Sequence, residues 1–423
     1  MSRYNHKSLR KFEALEDRRM MAGDISFNEA NGILTITGAG FDDVVEVRFE
    51  GDEVKVDLEA TEDDGTGTDD ESQTENIADV TKIVFNGLAG NDKLTVFVDE
   101  LDAGVTVNNV VLEFNGGNND DELVQNGGGI KTTALGGLGN DKLEGSRFND
   151  VLDGGANNDT YVYRGRSVGT DEIREAANVG VDTLDFSGFD TFVNVNLATV
   201  STAANPQSFA TAFISNMQLR QLNSTGIENV IGSAFTDHIT GNSRPNHLKG
   251  GAESDRLAGA GGNDILEGEA GGDVYEFSGT GLGTDDIIEA ANSEVDTLRF
   301  GGMTSGVTVA ISRAGSQFAV DSANLRLRLS SATAIENVFG TAFGDTITGN
   351  SRDNRLSGLD GADTIVGGIG ADTLQGGAGI DTLRSDALDQ VFGGTGRDFF
   401  DGMLEVLGTA NPRPGRYMDW GTL

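Results

Sequence analysis

Aspartate returns every nine residues in three blocks, and no other feature of the 423-residue chain narrows its fold as much. Block one holds Asp141, Asp150 and Asp159. Block two holds Asp237, Asn246, Asp255, Asp264 and Asp273, and block three Asp345, Asn354, Asp363, Asp372 and Asp381. Two places after each stands an aliphatic or aromatic residue, among them Leu143, Tyr161, Leu257, Tyr275, Ile365 and Leu383. Glycine crowds the positions before most of them. GGLGNDKLE at 136–144, which contains Gly136, Gly137 and Gly139, is matched in pattern by GGIGADTLQ at 367–375 and GGAGIDTLR at 376–384. A short, fixed period of this kind is the mark of a stacked repeat. Weaker copies surround Asp92 and Asp121, and Asp389 and Asp398 are again nine apart after a one-residue slip.

A longer repeat lies over the short one. GTDEI at 169–173 returns as GTDDI at 283–287, and EAAN (175–178) and VDTL (181–184) return at 289–292 and 295–298 with the same displacement. IENV (227–230) and the AF-x-D-x-ITGNSR stretch (234–244) return at 335–338 and 342–352. The chain grew by duplication in whole rungs, as stacked coils allow.

The nonapeptide G-G-x-G-x-D-x-aliphatic-x resembles the RTX, or hemolysin-type, calcium-binding repeat over about 136–400, with weaker rungs back to about 87. The resemblance implies an all-β, right-handed parallel β-roll. Six residues form a turn and three a short strand, and two nonapeptides make one coil. It also implies calcium between successive turns, held by backbone carbonyls and the sixth-position Asp. The expected metal-binding residues are therefore Gly136, Gly137, Gly139, Asp141, Asp150, Asp159, Asp237, Asn246, Asp255, Asp264, Asp273, Asp345, Asn354, Asp363, Asp372 and Asp381.

Elementary chemistry supports that expectation. Two rungs per coil put residues 18 apart on one edge, in strands about 4.8 Å apart. Asp237, Asp255 and Asp273 then form one stack, and Asn246 and Asp264 the opposite one. In block three the stacks are Asp345, Asp363, Asp381 and Asn354, Asp372. Each adjacent carboxylate pair repels by about 1 kcal/mol in water and about 3 at an effective dielectric of 20. Calcium prefers six to eight oxygen ligands, which carboxylates and carbonyls supply. The expected chain is loose without calcium and folded with it. The competing reading is that Asp and Gly serve only as turn formers. Asn246 and Asn354 lose the charge and Glu253 replaces a fourth-position Gly, so these turns are expected to bind weakly or serve as edge rungs.

Composition excludes much else. There is no Cys, so no disulfide or thiolate site. Three His and no H-E-x-x-H leave little room for a zinc enzyme. A formal net charge of -38 argues against nucleic acid and for a cation as partner. No apolar run is long enough for a membrane-spanning helix. A disordered acidic chain is argued against by the strand alternation and the repeats.

Six regions follow. Residues 1–23 are a leader or disordered tail; the FEALEDRRM stretch resembles a short N-terminal export motif of bacterial surface proteins. Residues 24–130 alternate apolar and polar residues as strands that begin the solenoid or cap its end, with the acid-rich 59–79 as a solvated loop. Residues 131–230 and 231–338 each hold a repeat block followed by irregular, wider coils. Residues 339–402 are block three and 403–423 a tail. GRSVG at 165–169 fits a nucleophile elbow around Ser167, but its duplicate reads GTGLG and no helix pattern follows. His238 and His247 are expected on opposite faces. The expected role is a secreted or surface-attached calcium-stabilised scaffold, adhesive or surface-layer in kind, with cell-surface or matrix components as partners and no catalysis. The alternative is a secreted polysaccharide-active or peptidase enzyme carried on the solenoid.

Overall fold

A computed structural model describes residues 24–38, 40–61, 68–165, 169–176, 180–201, 210–211, 218–221, 223–400, 403–404 and 416–417. The leader-like segment 1–23, Ser167 and most of the tail, Trp420 included, lie outside the described residues. The chain is a parallel β-roll, with no α-helix among the described residues.

Successive strands alternate between two sheets. Lys82–Ala89, Val111–Asn118, Lys131–Leu138 and Val151–Ala156 pair in parallel in one sheet. Lys93–Leu101, Glu122–Asn126, Lys142–Glu144 and Thr160–Gly165 pair in parallel in the other. The register keeps like positions above one another: Leu123, Leu143, Tyr161 and Leu184 form one inward column. The apolar residues placed by the nine-residue period are all buried, from Leu143 and Leu152 through Leu248 and Leu266 to Leu374 and Leu383. Wider rungs fill the same interior with stacked rings, as in Phe85 on Phe114 at 5.3 Å and Phe277 on Phe300 at 5.3 Å. Truncating one such column member costs about 2–5 kcal/mol.

The N-terminal strands are part of the stack. Ile33–Thr37 pairs in parallel with Lys82–Ala89, and Asp43–Gly51 with Lys93–Leu101. Antiparallel strands close this end: Asp24–Asn28 on one sheet, Glu53–Thr61 and Thr68–Asn76 on the other. Part of the acid-rich stretch expected as a loop is thus a strand. It lies at a sheet edge and buries none of residues 71–76, so its acids stay in water while its backbone pairs. Charge on an exposed edge also discourages pairing with another chain.

The irregular coils belong to the same two sheets, each widened by an antiparallel meander. After block one the meander is Asn194–Asn196, Ala210–Thr211 and Gln218–Gln221, in the first sheet. After block two it is Thr308–Ala310, Phe318–Asp321 and Leu325–Leu329, in the second. The duplicated unit is displaced by an odd number of strands, so GTDEI lies in one sheet and GTDDI in the other. The two meanders therefore widen opposite sheets of one roll. His238 and His247 also fall in different sheets.

Candidate metal centre at the turns

Each turn lays its sixth-position Asp against the turn of the next coil. Oδ1 accepts a hydrogen bond from the backbone N–H of the Asp one coil earlier: Asp121 to Asp141, Asp141 to Asp159 and Asp237 to Asp255 at 2.8, 2.8 and 2.7 Å. Asp255 to Asp273, Asp345 to Asp363 and Asp363 to Asp381 repeat it at 2.7, 2.8 and 2.9 Å. Asn246 bonds to Asp264 and Asn354 to Asp372, both at 2.8 Å. The stacks expected from the 18-residue spacing are thus bonded ladders.

The ladders run further than the nine-residue period. Asp43 and Asp92 extend one beyond Asp121. Asp171, Asp182, Asp285 and Asp296 carry them through the wide coils. Glu228 and Glu336 replace Asp where a meander ends, accepting from Asp182 and Asp296. Asp389 and Asp398 finish block three, one residue early, as the slip requires. The wide coils separate their carboxylates by 21 to 46 residues, so no fixed period reveals them. A signal was present in D-E-I, D-T-L and D-D-I, which keep the aliphatic residue two places after Asp.

The second carboxylate oxygen divides the turns into two kinds. In the first, Oδ2 is buried with no hydrogen-bond donor; Asp92, Asp121, Asp141, Asp159, Asp255, Asp264, Asp363, Asp372 and Asp381 are of this kind. Their turns carry left-handed backbone at the second or fourth position. All seven non-glycine residues with such backbone among the described residues occupy those positions, Glu253 (φ 66°) and Leu359 (φ 77°) among them. Glycine is required for a second reason, as the first full motif shows. A Cβ on Gly136 would lie 2.3 Å from Asp141 Oδ2 and 2.6 Å from the Gly154 carbonyl. Cβ atoms on Gly137 and Gly139 would lie 2.2 and 2.1 Å from the carbonyls of Gly117 and Asn119. The missing side chains leave carbonyl oxygens and an unbonded carboxylate oxygen facing one crevice.

The second kind of turn satisfies itself. Its second position is Ser, Thr or Asn, which stays out of the left-handed region. The N–H of Ser146 donates to Asp150 Oδ2 at 2.6 Å, that of Ser233 to Asp237 Oδ2 at 2.5 Å and that of Thr341 to Asp345 Oδ2 at 2.6 Å. The three hydroxyls donate to the same carboxylates. Asn246 and Asn354 accept from Asn242 and Asn350 in the same way, and their Nδ2 groups donate to the Glu228 and Glu336 carbonyls. Beside them Arg244 and Arg352 form ion pairs with buried Glu228 and Glu336 at 2.6 and 2.9 Å. All five turns supply their own donors, and the two Asn turns also lie beside a resident cation.

Burial makes the first kind of turn costly without a cation. Desolvation raises Asp121 and Asp255 to about 8 and Asp92, Asp264 and Asp363 to about 7, despite the backbone N–H bond each accepts. Neighbouring carboxylates add to the rise at Asp92, Asp121, Asp255 and Asp363. Asp141, Asp372 and Asp381 rise to about 6 by burial; in the self-satisfied turns burial brings Asp150 and Asp237 to the same level, with extra N–H and O–H donors opposing the rise. An orphaned carboxylate oxygen among carbonyls, with no space for a side chain, is a donor set that suits a hard divalent cation. Asp141, Asp159, Asp255, Asp264, Asp273, Asp363, Asp372 and Asp381, with the carbonyls around Gly136, Gly137 and Gly139 and their equivalents, are the groups that would hold calcium.

The comparison with known families agrees. The RTX calcium-binding nonapeptide repeat matches in four copies, over residues 135–164, 240–275, 339–374 and 348–383. The chain carries RTX repeats. The matched RTX segments cover the Asp stacks of all three blocks except Asp237, and stop short of the meanders and the N-terminal cap. No curated protein matches the chain.

Proposed function

We propose that this RTX chain is a secreted or surface-attached scaffold that leaves the cell loose and acidic and is ordered by calcium outside it. The observation that carries the reading is the ladder of buried carboxylates, each with one oxygen bonded to backbone and, in most turns, the other without a donor. Desolvating ions without a partner costs several kcal/mol each, and a divalent cation reverses that sign. Calcium affinities of extracellular modules are often about 0.1–1 mM, which separates a calcium-poor cytosol from a calcium-rich exterior. Long coils and two meanders of opposite placement then present an extended surface suited to an adhesive or surface-layer element.

The scaffold is proposed without catalysis. The ladder carboxylates are buried and tied to backbone N–H groups, so they do not face a substrate as a paired acid and base. His247 Nε2 lies 2.6 Å from Glu267 Oε1 in one sheet, and His238 lies in the other. The localisation is tested by immunodetection in the source cells: protein in the medium or released from the surface by a calcium chelator supports the reading, and protein confined to the cytosol overturns it.

A further inference from the structure

Two places in the roll depart from the repeated turn in the same way. Where the wide coil begins, Asp159, Glu175 and Asp182 each place a carboxylate oxygen within 4.8 Å of the others, and Asp273, Glu289 and Asp296 do the same 114 residues later. Glu175 and Glu289 belong to the duplicated EAAN stretch and lie outside the nonapeptide. In the second cluster Asp273 and Asp296 are fully buried and Glu289 is 5% exposed. Asp273 Oδ2, Glu289 Oε2 and Asp296 Oδ2 have no hydrogen-bond donor. The other oxygens are held in place: Asp273 and Asp296 accept from Asp255 and Asp273 N–H groups, and Glu289 Oε1 accepts from the Tyr275 hydroxyl. Tyr275 is in turn fixed by the Gly268 N–H at 2.8 Å. Tyr161 repeats this, donating to Glu175 and accepting from Gly154 at 2.7 Å. The charges acting most strongly on the second cluster are acidic; in the first, Asp159 Oδ2 is the oxygen without a donor, and Arg244 also acts on Asp182.

We infer that these two clusters are a second class of calcium site, in which a third carboxylate, oriented by a buried tyrosine, joins two ladder aspartates. A Cβ on Gly268 would meet Asp273 Oδ2, Glu289 Oε1 and the Tyr275 hydroxyl at 2.1, 2.4 and 2.6 Å, so only glycine leaves the pocket open. Three carboxylate oxygens within 4.8 Å of one another can converge on one ion, and calcium takes several carboxylates in a flexible shell where magnesium usually keeps most of its waters. Three carboxylates also give these sites more negative charge than an ordinary turn, so they fill first as calcium rises and anchor the start of each wide coil. The inference deepens the calcium-scaffold reading at two defined points and can fail separately from it.

The test uses the full chain stripped with EDTA and terbium(III) as the probe, since a bound terbium ion beside tyrosine emits when the ring is excited. Wild-type protein is expected to show sensitised emission that calcium competes away and magnesium does not. The double variant Glu175→Gln/Glu289→Gln is expected to lose two ions from the tight class and most of the emission. The double variant Tyr161→Phe/Tyr275→Phe keeps every carboxylate and is expected to keep the ion count while losing most of the emission. The inference is overturned if the glutamine variant, folded by circular dichroism, binds the same number of ions with the same affinity. Should that variant not fold, unchanged emission in the phenylalanine variant overturns it instead. A wild-type chain that binds no calcium at all sinks the scaffold reading as well, so the two failures are distinguishable.

Discussion

Replacing Asp255 by Asn is expected to act with opposite sign in the two calcium states. Asp255 is 1% exposed, its Oδ1 accepts from the Asp237 N–H and its Oδ2 has no donor. Desolvation first, then the charges of Asp237, Asp273 and Glu253, raise it from 3.8 to about 8. At pH 7 the calcium-free fold therefore holds a proton that the unfolded chain has released. The gap between 3.8 and pH 7, at about 1.4 kcal/mol per unit, sets a ceiling of about 4 kcal/mol on the cost. Relaxation and water entry bring the working figure to about 1–2 kcal/mol. Asn carries no such cost, and its Oδ1 can still accept the Asp237 N–H. In EDTA the variant is thus more stable by about 1–2 kcal/mol. In calcium at about a hundred times the dissociation constant it forgoes a linkage energy of about 2.7 kcal/mol, which exceeds that gain and leaves the variant less stable by about 1 kcal/mol. Urea unfolding followed by circular dichroism in both conditions reads the inversion. Where the calcium-free wild type is already unfolded, the residual β signal in EDTA reads the same sign. A variant less stable in both conditions would show that Asp255 is a turn former and refute the reasoning.

Other outcomes follow from the same geometry. In EDTA the roll is expected to lose stability as pH rises from about 4 to about 8, because the ladder acids sit at about 6 to about 8 when folded against 3.8 when unfolded; saturating calcium should abolish that slope, and thermal melts across pH check it. Ser233→Gly removes the hydroxyl that donates to Asp237 Oδ1 and opens the second position to left-handed backbone, which turns its N–H away from Oδ2, so equilibrium dialysis should count one more bound calcium, with stability in EDTA lower by about 1–3 kcal/mol. Arg244→Ala strands buried Glu228 and removes a 2.9 Å bond to the Thr225 carbonyl, costing about 3 kcal/mol by urea unfolding in calcium.

The nine-residue period made the stack legible because each property of the turn recurs at that interval. The inward column, the strand alternation and the Asp pairs 18 apart follow from it, and even the weak rungs at Asp92 and Asp121 are full ladder members. What stayed hidden depends on chain that the period does not count. Asp171, Asp182, Asp285 and Asp296 rejoin the ladder only because meanders and long turns leave the stack and return to it. Asp150, Asp237, Asn246, Asp345 and Asn354 share the sixth position with the other candidates, yet differ from them through one residue four places earlier. There Ser, Thr or Asn turns an N–H toward the side chain that left-handed glycine turns away. The deciding residue was visible in GNSR and SAFTD, but only as a departure from glycine. The odd-strand displacement that puts the two meanders in opposite sheets was likewise implicit in the duplication, and needed the alternation of sheets to be read.

The central claim is that the orphaned carboxylates make the fold conditional on calcium. A calcium titration of the EDTA-stripped chain at pH 7, followed by far-UV circular dichroism with magnesium as control, tests it most directly. The account predicts a cooperative gain of β signal at about 0.1–1 mM calcium and none with magnesium. A chain with full β signal in EDTA that is indifferent to calcium would contradict it.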